Sequence, residues 1–234
     1  MNNYQHALHV LNKVKSEYGI NEILLSYSGG KESLVILDLC SKVFSKIVCF
    51  HYYFLPDLKI DQKKYEFAKR RYNVEVLSYQ SPDALNFIKK GVFCFPRENK
   101  IKIRQLKLKD IYEKARKDSG LNWVVIGWRQ TDSLQRLLTL RNYVDESICE
   151  ASCKIYPLSR WKKKETINYM KINKIPLPSL ISKRAQSAGI SLDVETLLYL
   201  KKFYLSDYNR IIEVFPLAEL QIRRAEYYGI KETF

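Results

Sequence analysis

Short apolar runs alternate with helical patterns along the first three quarters of the chain. The runs that predict buried strands span residues 22–26, 47–50, 74–79, 123–127 and 155–158. Apolar residues recur every three or four positions in the segments that predict helices, which are 4–18, 32–44, 60–71, 101–117 and a segment ending at 173. A further helix is predicted to start at Ser81-Pro82-Asp83. Strands that alternate with helices predict an α/β fold with a parallel sheet and flanking helices.

The pattern changes near residue 182. The segments 192–204, 208–215 and 217–228 have helical spacing, and the sequence shows no strand pattern between them. We therefore predict two parts, an α/β domain over residues 1–180 and a small helical C-terminal subdomain over residues 181–234.

The first candidate site is the segment Ser28 to Ser33, which reads Ser-Gly-Gly-Lys-Glu-Ser between a predicted strand and a predicted helix. Paired glycines allow the backbone to approach an anion closely, and a helix N-terminus attracts negative charge. Lys31 adds a cation and the two serines add hydroxyl groups. Neither the Walker spacing nor the dinucleotide glycine pattern is present. The segment predicts a phosphate-binding loop of another kind.

A second loop leaves the predicted strand 123–127. It contains Gly127, Arg129, Ser133 and Arg136, and guanidinium groups suit phosphate or sulfate. The carboxyl ends of parallel strands meet at one edge of a sheet, so both loops should reach one ligand. A third motif follows at residues 156–162, Tyr-Pro-Leu-Ser-Arg-Trp-Lys, and a predicted helix then leads to Ile-Pro at 175–176.

These three motifs, in this order, resemble the phosphoadenosine phosphosulfate (PAPS) reductase-like family of the PP-loop, or adenine nucleotide α-hydrolase-like, superfamily. Glu32 stands where the PP-loop usually has Asp. The resemblance implies a Rossmann-like, HUP-type fold and an adenine-nucleotide-binding domain over residues 1–180. It also implies ATP or PAPS as the ligand, with Mg²⁺ carried by the nucleotide.

The resemblance also implies the site residues. Those expected to bind the nucleotide are Ser26, Ser28, Gly29, Gly30, Lys31, Glu32, Ser33, Phe50, Tyr52, Asp57, Gly127, Arg129, Ser133 and Arg136. Lys31, Arg129 and Arg136 are also expected to act in catalysis. Glu32 or Asp57 could bind the metal, and both could equally be solvated carboxylates.

The late Glu-Cys-Gly-x-His segment of true PAPS reductases is absent from this sequence. We therefore favour an ATP pyrophosphatase that adenylates an acceptor, either a nucleic acid or a sulfur-transfer substrate. A thiol-dependent PAPS or adenylyl sulfate reductase using Cys94, Cys149 or Cys153 is the alternative, and a non-catalytic nucleotide sensor or assembly component is another. Without a Cys-x-x-Cys pair, we expect neither an iron–sulfur cluster nor zinc.

The net charge of the chain also predicts an anionic partner. The chain has 40 Lys and Arg against 25 Asp and Glu, a net charge of +15, which favours an anionic partner such as nucleic acid or polyphosphate. No apolar run approaches the ~20 residues of a membrane span, and the polar N-terminus lacks a signal-peptide core. We expect a soluble cytoplasmic protein that forms a homo-oligomer or a complex.

Overall fold

A six-stranded sheet is the centre of the fold. The computed structural model of the protein describes residues 1–95, 107–178 and 190–229. The strands are β1 (Glu22–Ser26), β2 (Lys46–Tyr53), β3 (Glu75–Gln80), β4 (Val124–Val125), β5 (Ile148–Cys149) and β6 (Lys154–Ile155). Their order across the sheet is β3-β2-β1-β4-β6-β5. The pairs β1–β2, β1–β4 and β4–β6 are parallel and β5–β6 is antiparallel, so the sheet is mixed.

Helices flank the sheet, as the sequence predicts, and the described C-terminal part of the chain is also helical. The helices are α1 (Asn3–Glu17), α2 (Lys31–Ser41), α3 (Lys59–Tyr72), α4 (Pro82–Lys90), α5 (Leu108–Ser119), α6 (Leu134–Arg141), α7 (Lys163–Ile172), α8 (Val194–Phe203), α9 (Leu205–Val214) and α10 (Glu219–Tyr227). The α/β Rossmann-like fold is thereby confirmed. Residues 101–106 of the predicted segment 101–117 lie outside the described residues.

Strand β1 lies between β2 and β4, and its side chains suit a central strand. Ile23, Leu24 and Leu25 have no exposed surface. A strand in the middle of a sheet that is covered on both faces needs a continuous apolar run rather than alternation. The carboxyl end of β1 is therefore fixed in the interior, and the loop that follows it starts from a rigid base.

The described residues form two compact units, each assembled from separate segments of the chain. The first unit comprises Met1–His51, Phe67–Leu77 and Tyr112–Pro178, and the second comprises Tyr52–Glu66, Ser78–Ile111 and Ser179–Phe234. The second unit has its own apolar core. The segment 192–222, which contains α8, α9 and the start of α10, supplies most of that core, and the other buried residues include Phe54, Leu58 and Ile60. The predicted domain boundary near residue 180 stays a prediction.

None of the helices in the described parts of the chain is long and apolar enough to cross a membrane.

Candidate functional site

The loop after β1 holds its two serine hydroxyls at the start of α2. Gly29 has φ 69°, a backbone conformation that a side chain would strain, and it turns the chain from strand to helix. Ser28 Oγ accepts from the Gly30 N–H at 3.2 Å and lies 3.2 Å from Ser33 Oγ, which donates to the Gly30 carbonyl at 2.9 Å. Gly30 is the N-cap and has no capping side chain. The helix therefore keeps its N-terminal dipole available for an anion.

Two buried cations from different loops meet beside this helix start. Lys31 Nζ lies 3.0 Å from Glu32 Oε1, and Arg129 Nη2 lies 3.2 Å from the same oxygen. The side chains of Lys31, Glu32 and Arg129 are only 6, 14 and 10% exposed. Charges shielded from water interact strongly, so these ion pairs join the first loop to the second.

Asp132 orients the cations of the second loop. Its two oxygens accept from the backbone N–H of Arg129 at 3.0 Å, from Arg129 Nε at 3.0 Å and from Arg129 Nη2 at 2.7 Å. Arg136 Nη1 donates to the same carboxylate at 2.7 Å. Arg129 Nη1 is buried and has no hydrogen-bond partner among the described residues. A buried guanidinium donor of this kind suits an anionic ligand.

Gly127 allows the second loop to leave β4 tightly against α2. A Cβ added at Gly127 would come 3.0 Å from Glu32 Cβ and 3.4 Å from Ile36 Cδ1. The absence of a side chain therefore lets the strand end approach the first turn of the helix. Ser133, at the other end of the loop, caps α6 by accepting from the Arg136 N–H at 3.2 Å.

The third motif packs against the second loop and accepts a hydrogen bond from it. Ser159 accepts through its carbonyl from the Gln130 N–H at 2.7 Å. The Tyr156 ring lies between those of Trp128 and Tyr143, at centroid distances of 5.4 and 5.7 Å. The Arg136 guanidinium lies 4.9 Å from the centroid of the Trp128 ring, which is close enough for a cation–π contact. The three predicted motifs thus share one unit, in which each contacts the next.

Sequence reasoning missed Asp132 and the aromatic residues Trp128, Tyr143 and Tyr156. Asp132 stands between Arg129 and Arg136 in the printed sequence, and a carboxylate spaced three and four residues from two arginines was the available signal. The aromatic stack has no local signal, because Tyr143 and Tyr156 meet only through the tertiary fold.

The predicted nucleotide-binding residues of the segment 50–57 are divided between the two compact units. Phe50 is fully buried and packs edge-on against Tyr112, with ring centroids 5.4 Å apart. Tyr52 and Asp57 belong to the second compact unit. Asp57 has φ 59° and lies 3.8 Å from Arg210 of the same unit, and its side chain is 76% exposed. The adenosine-binding role of these three residues stays a prediction.

The two carboxylates predicted as possible magnesium ligands lie in different surroundings. Among the described residues, no group of three His, Cys, Asp or Glu side chains could hold a metal ion. Glu32, one of the two predicted ligands, has its Oε1 between two cations, and Asp57 belongs to the other unit. The magnesium-binding role of these two carboxylates stays a prediction.

The three candidate thiols differ in their surroundings. Cys94 is buried in the second unit, where its Sγ lies 3.5 Å from the Val214 carbonyl oxygen. Cys149, on β5, is half-buried, and Ser152 Oγ donates to its sulfur at 3.1 Å. Burial alone would raise the pKa of the Cys149 thiol, but hydrogen bonds from Ser152 and Tyr143 and the nearby charge of Lys154 lower it below its ordinary value.

The fold is also found in solved structures. PAPS reductase from Candida auris, in a phosphate complex, is 20% identical, with a TM-score of 0.53 over 78% of this chain and 87% of that chain. NH3-dependent NAD synthetase from Campylobacter jejuni, in complex with nitrate, is 14% identical, with a TM-score of 0.46 over 100 and 99% of the two chains.

Yeast FAD synthetase in complex with FAD is 15% identical, with a TM-score of 0.49 over 80% of this chain. This chain covers 65% of that one. No curated protein sequence matches the chain. The family model of the phosphoadenosine phosphosulfate reductase domain matches residues 22–211, which is most of the chain. The three linked motifs and this match agree, and the chain belongs to the PAPS reductase domain family of the PP-loop superfamily.

Proposed function

We propose that this protein is an adenine-nucleotide-dependent enzyme that acts as an ATP pyrophosphatase. The observation that carries the proposal is the meeting of Lys31 and Arg129, two buried cations from separate loops, beside the uncapped start of α2. Such an arrangement stabilises an anion with several phosphates better than one with a single charge. The absence of the reductase cysteine segment from the sequence favours ATP over PAPS.

In the proposed reaction, a nucleophilic oxygen, nitrogen or sulfur of the acceptor attacks the α-phosphorus of ATP. The bond from that phosphorus to the bridging oxygen breaks, pyrophosphate leaves with the bonding electrons, and the acceptor loses its proton. Lys31 and the loop N–H groups hold the departing phosphates, and Arg129 and Arg136 neutralise charge as it develops. Mg²⁺ arriving with the nucleotide supplies further neutralisation.

We propose a nucleic acid as the class of acceptor to be tested first. The net charge of +15 supports this choice, since basic excess favours binding to a polyanion. Phosphate contacts release counterions, so the affinity for RNA or DNA should fall steeply between low and physiological salt. A titration that detects no binding at low ionic strength would remove the nucleic acid from the proposal.

Calorimetry with ATP and PAPS, paired with product analysis, tests the reaction. We expect ATP to bind more tightly than PAPS, and AMP or an adenylated acceptor to form together with pyrophosphate. Lys31→Ala should abolish turnover, because the buried ammonium has no neutral substitute. Lys46→Ala is the matched control, since Lys46 is an exposed lysine at the opposite end of the sheet strands. Binding of ATP without turnover with any acceptor would indicate a sensor instead.

Cys149 supports a second candidate, a thiol-dependent reductase of PAPS or adenylyl sulfate. Its lowered thiol pKa is the specific observation in favour, because the thiolate is the nucleophile in such a reaction. The thiolate would attack the sulfonate sulfur, displacing the nucleotide phosphate and leaving an S-sulfonated cysteine. A second thiol would then release sulfite and form a disulfide. Sulfite release from PAPS that is lost in Cys149→Ser would favour this candidate.

A further inference from the structure

Glu32, in the candidate phosphate-binding loop, lies between two cations. Its Oε1 lies 3.0 Å from Lys31 Nζ and 3.2 Å from Arg129 Nη2, and all three side chains are largely buried. A carboxylate oxygen between two buried cations has the same charge and the same partners that a ligand phosphate oxygen would have there. The protein therefore contains a negative group at the point where its cations converge.

The two acidic residues of this cluster hold Arg129 in different ways. Asp132 accepts three directed hydrogen bonds from Arg129, at 2.7 to 3.0 Å, and one from Arg136. Glu32 contacts Arg129 through a single ion pair at 3.2 Å. A ligand can replace the single contact at lower cost than the three directed bonds. Glu32, rather than Asp132, is therefore the carboxylate that a ligand would displace.

The position of Glu32 also allows its carboxylate to be exchanged for a ligand phosphate. Lys31 and Arg129 both contact Glu32 in the first turn of α2, where the Gly30 cap leaves the helix dipole open. Asp132 balances Arg129, and without the Glu32 carboxylate the second buried positive charge beside that dipole would destabilise the empty protein. A glutamate side chain can rotate away when a phosphate supplies the same charge.

We infer that Glu32 is a built-in counter-anion, whose carboxylate neutralises Lys31 and Arg129 in the empty site and competes with the phosphates of the incoming nucleotide. This inference rests on the proposed function, because it takes these two cations as the phosphate ligands. Glu32 lowers the affinity for the ligand and raises the stability of the empty protein. It acts as a positioning residue for the two cations and not as a magnesium ligand.

The test measures the affinity of the full chain for inorganic pyrophosphate and for ATP, with EDTA present, by isothermal titration calorimetry. Glu32→Gln keeps the shape and removes the charge, so the dissociation constants for both anions should fall about tenfold, the effect of one lost charge–charge contact. The melting temperature without ligand should fall as well, and pyrophosphate should restore it more strongly than in the wild type. Glu22→Gln is the matched control. Glu22 is at the start of β1, the strand that leads into the loop, and it forms an exposed ion pair with Lys46 of β2.

A second variant serves if Glu32→Gln fails to fold. Glu32→Asp keeps the charge on a shorter side chain that reaches Arg129 less well, so the affinity should rise in the same direction by a smaller factor. A repeat with Mg²⁺ separates the two roles of the carboxylate. A counter-anion predicts tighter binding in the variants with and without Mg²⁺, whereas a metal ligand predicts weaker binding only when Mg²⁺ is present.

Tighter anion binding by the variants, with Glu22→Gln unchanged, would support the inference. Equal or weaker binding by the variants, while the wild type binds ATP, would overturn it and leave the proposed function standing. Failure of the wild type and of every variant to bind ATP or pyrophosphate would overturn the proposed function, and the inference with it.

Discussion

Gly127 lies so close to Glu32 that a side chain at residue 127 would push against the first turn of α2. A Cβ there would lie 3.0 Å from Glu32 Cβ, which is tighter than most Cβ contacts in folded proteins. The end of β4 therefore rests directly on the first turn of α2. This contact sets the distance between the loop that contains Lys31 and the loop that contains Arg129.

Gly127→Ala should separate the two loops. The added methyl group must push against α2, and we expect a loss of about 1–3 kcal/mol in the free energy of unfolding, as for other overpacked sites. The binding free energy of ATP should fall by more than the free energy of unfolding, because Lys31 and Arg129 would no longer converge. Urea unfolding and calorimetry measure the two effects.

A control for this change is Gly120→Asn. Nothing lies within 4 Å of a Cβ at Gly120, and its φ of +72° is one that Asn tolerates. We expect ATP affinity to stay at the wild-type value in this variant. Wild-type affinity in Gly127→Ala would show that the spacing of the loops does not matter for binding.

Asp38 should make the stability of the first unit depend on pH. Burial alone would raise the pKa of Asp38, but the hydrogen bonds and charge of Lys42, with hydrogen bonds from Tyr169 and Tyr72, lower it below its ordinary value. A lowered native pKa contributes stability above the unfolded value of about 3.9, and that contribution is lost as the pH falls through the native pKa. The unfolding free energy should therefore decrease on acidification below about pH 4.

Asp38→Asn tests this dependence. It leaves the Lys42 ammonium without its carboxylate, and because Lys42 is 40% exposed we expect a loss of only about 1–2 kcal/mol at pH 7. The difference from the wild type should shrink as the pH falls below 4, since the wild type loses the same interaction. Tyr72→Phe removes only one hydrogen bond and should cost about 1 kcal/mol. An equal difference at pH 7 and pH 3 would refute the role of Asp38.

Asp207 should stabilise the second unit by capping a helix that is distant in the chain. Its Oδ1 and Oδ2 accept from the Lys59 and Ile60 N–H groups at 3.0 and 2.9 Å, at the start of α3. Asp207→Ala removes both acceptors, and we expect a loss of about 1–2 kcal/mol in chemical unfolding. Asp83→Ala is the comparison, because Asp83 lies in the first turn of α4, where Ser81 provides the cap. A smaller effect at residue 207 than at residue 83 would contradict the prediction.

Cys149 should be the most reactive thiol of the chain. Cys40 and Cys49 are buried, and burial raises the pKa of both thiols. We expect iodoacetamide to label Cys149 first at pH 7.5, as identified by mass spectrometry, because its pKa is lowered. Ser152→Ala removes the donor to its sulfur and should shift the pH dependence of labelling upward. Unchanged labelling in that variant would show that Ser152 has no influence on the thiol.

The amino-acid sequence by itself determined the fold class and the main motifs. Continuous apolar runs bounded by glycine or helical patterns identified β1, β2 and β4, because a strand buried on both faces needs such a run. The Ser-Gly-Gly-Lys-Glu-Ser loop and the Gly127 to Arg136 loop were found from residue type and spacing. The order of the motifs then led to the family that the match over residues 22–211 shows.

Tertiary structure alone decided how the charges are paired. No local pattern could show that Glu32 lies between Lys31 and Arg129, since residues 32 and 129 are brought together only by the pairing of β1 with β4 and by the missing side chain at Gly127. The two-residue strand β5 and the stack of Trp128, Tyr156 and Tyr143 also depend on distant partners. Periodicity describes which face of an element is buried, whereas the partner of a buried charge is set by long-range packing.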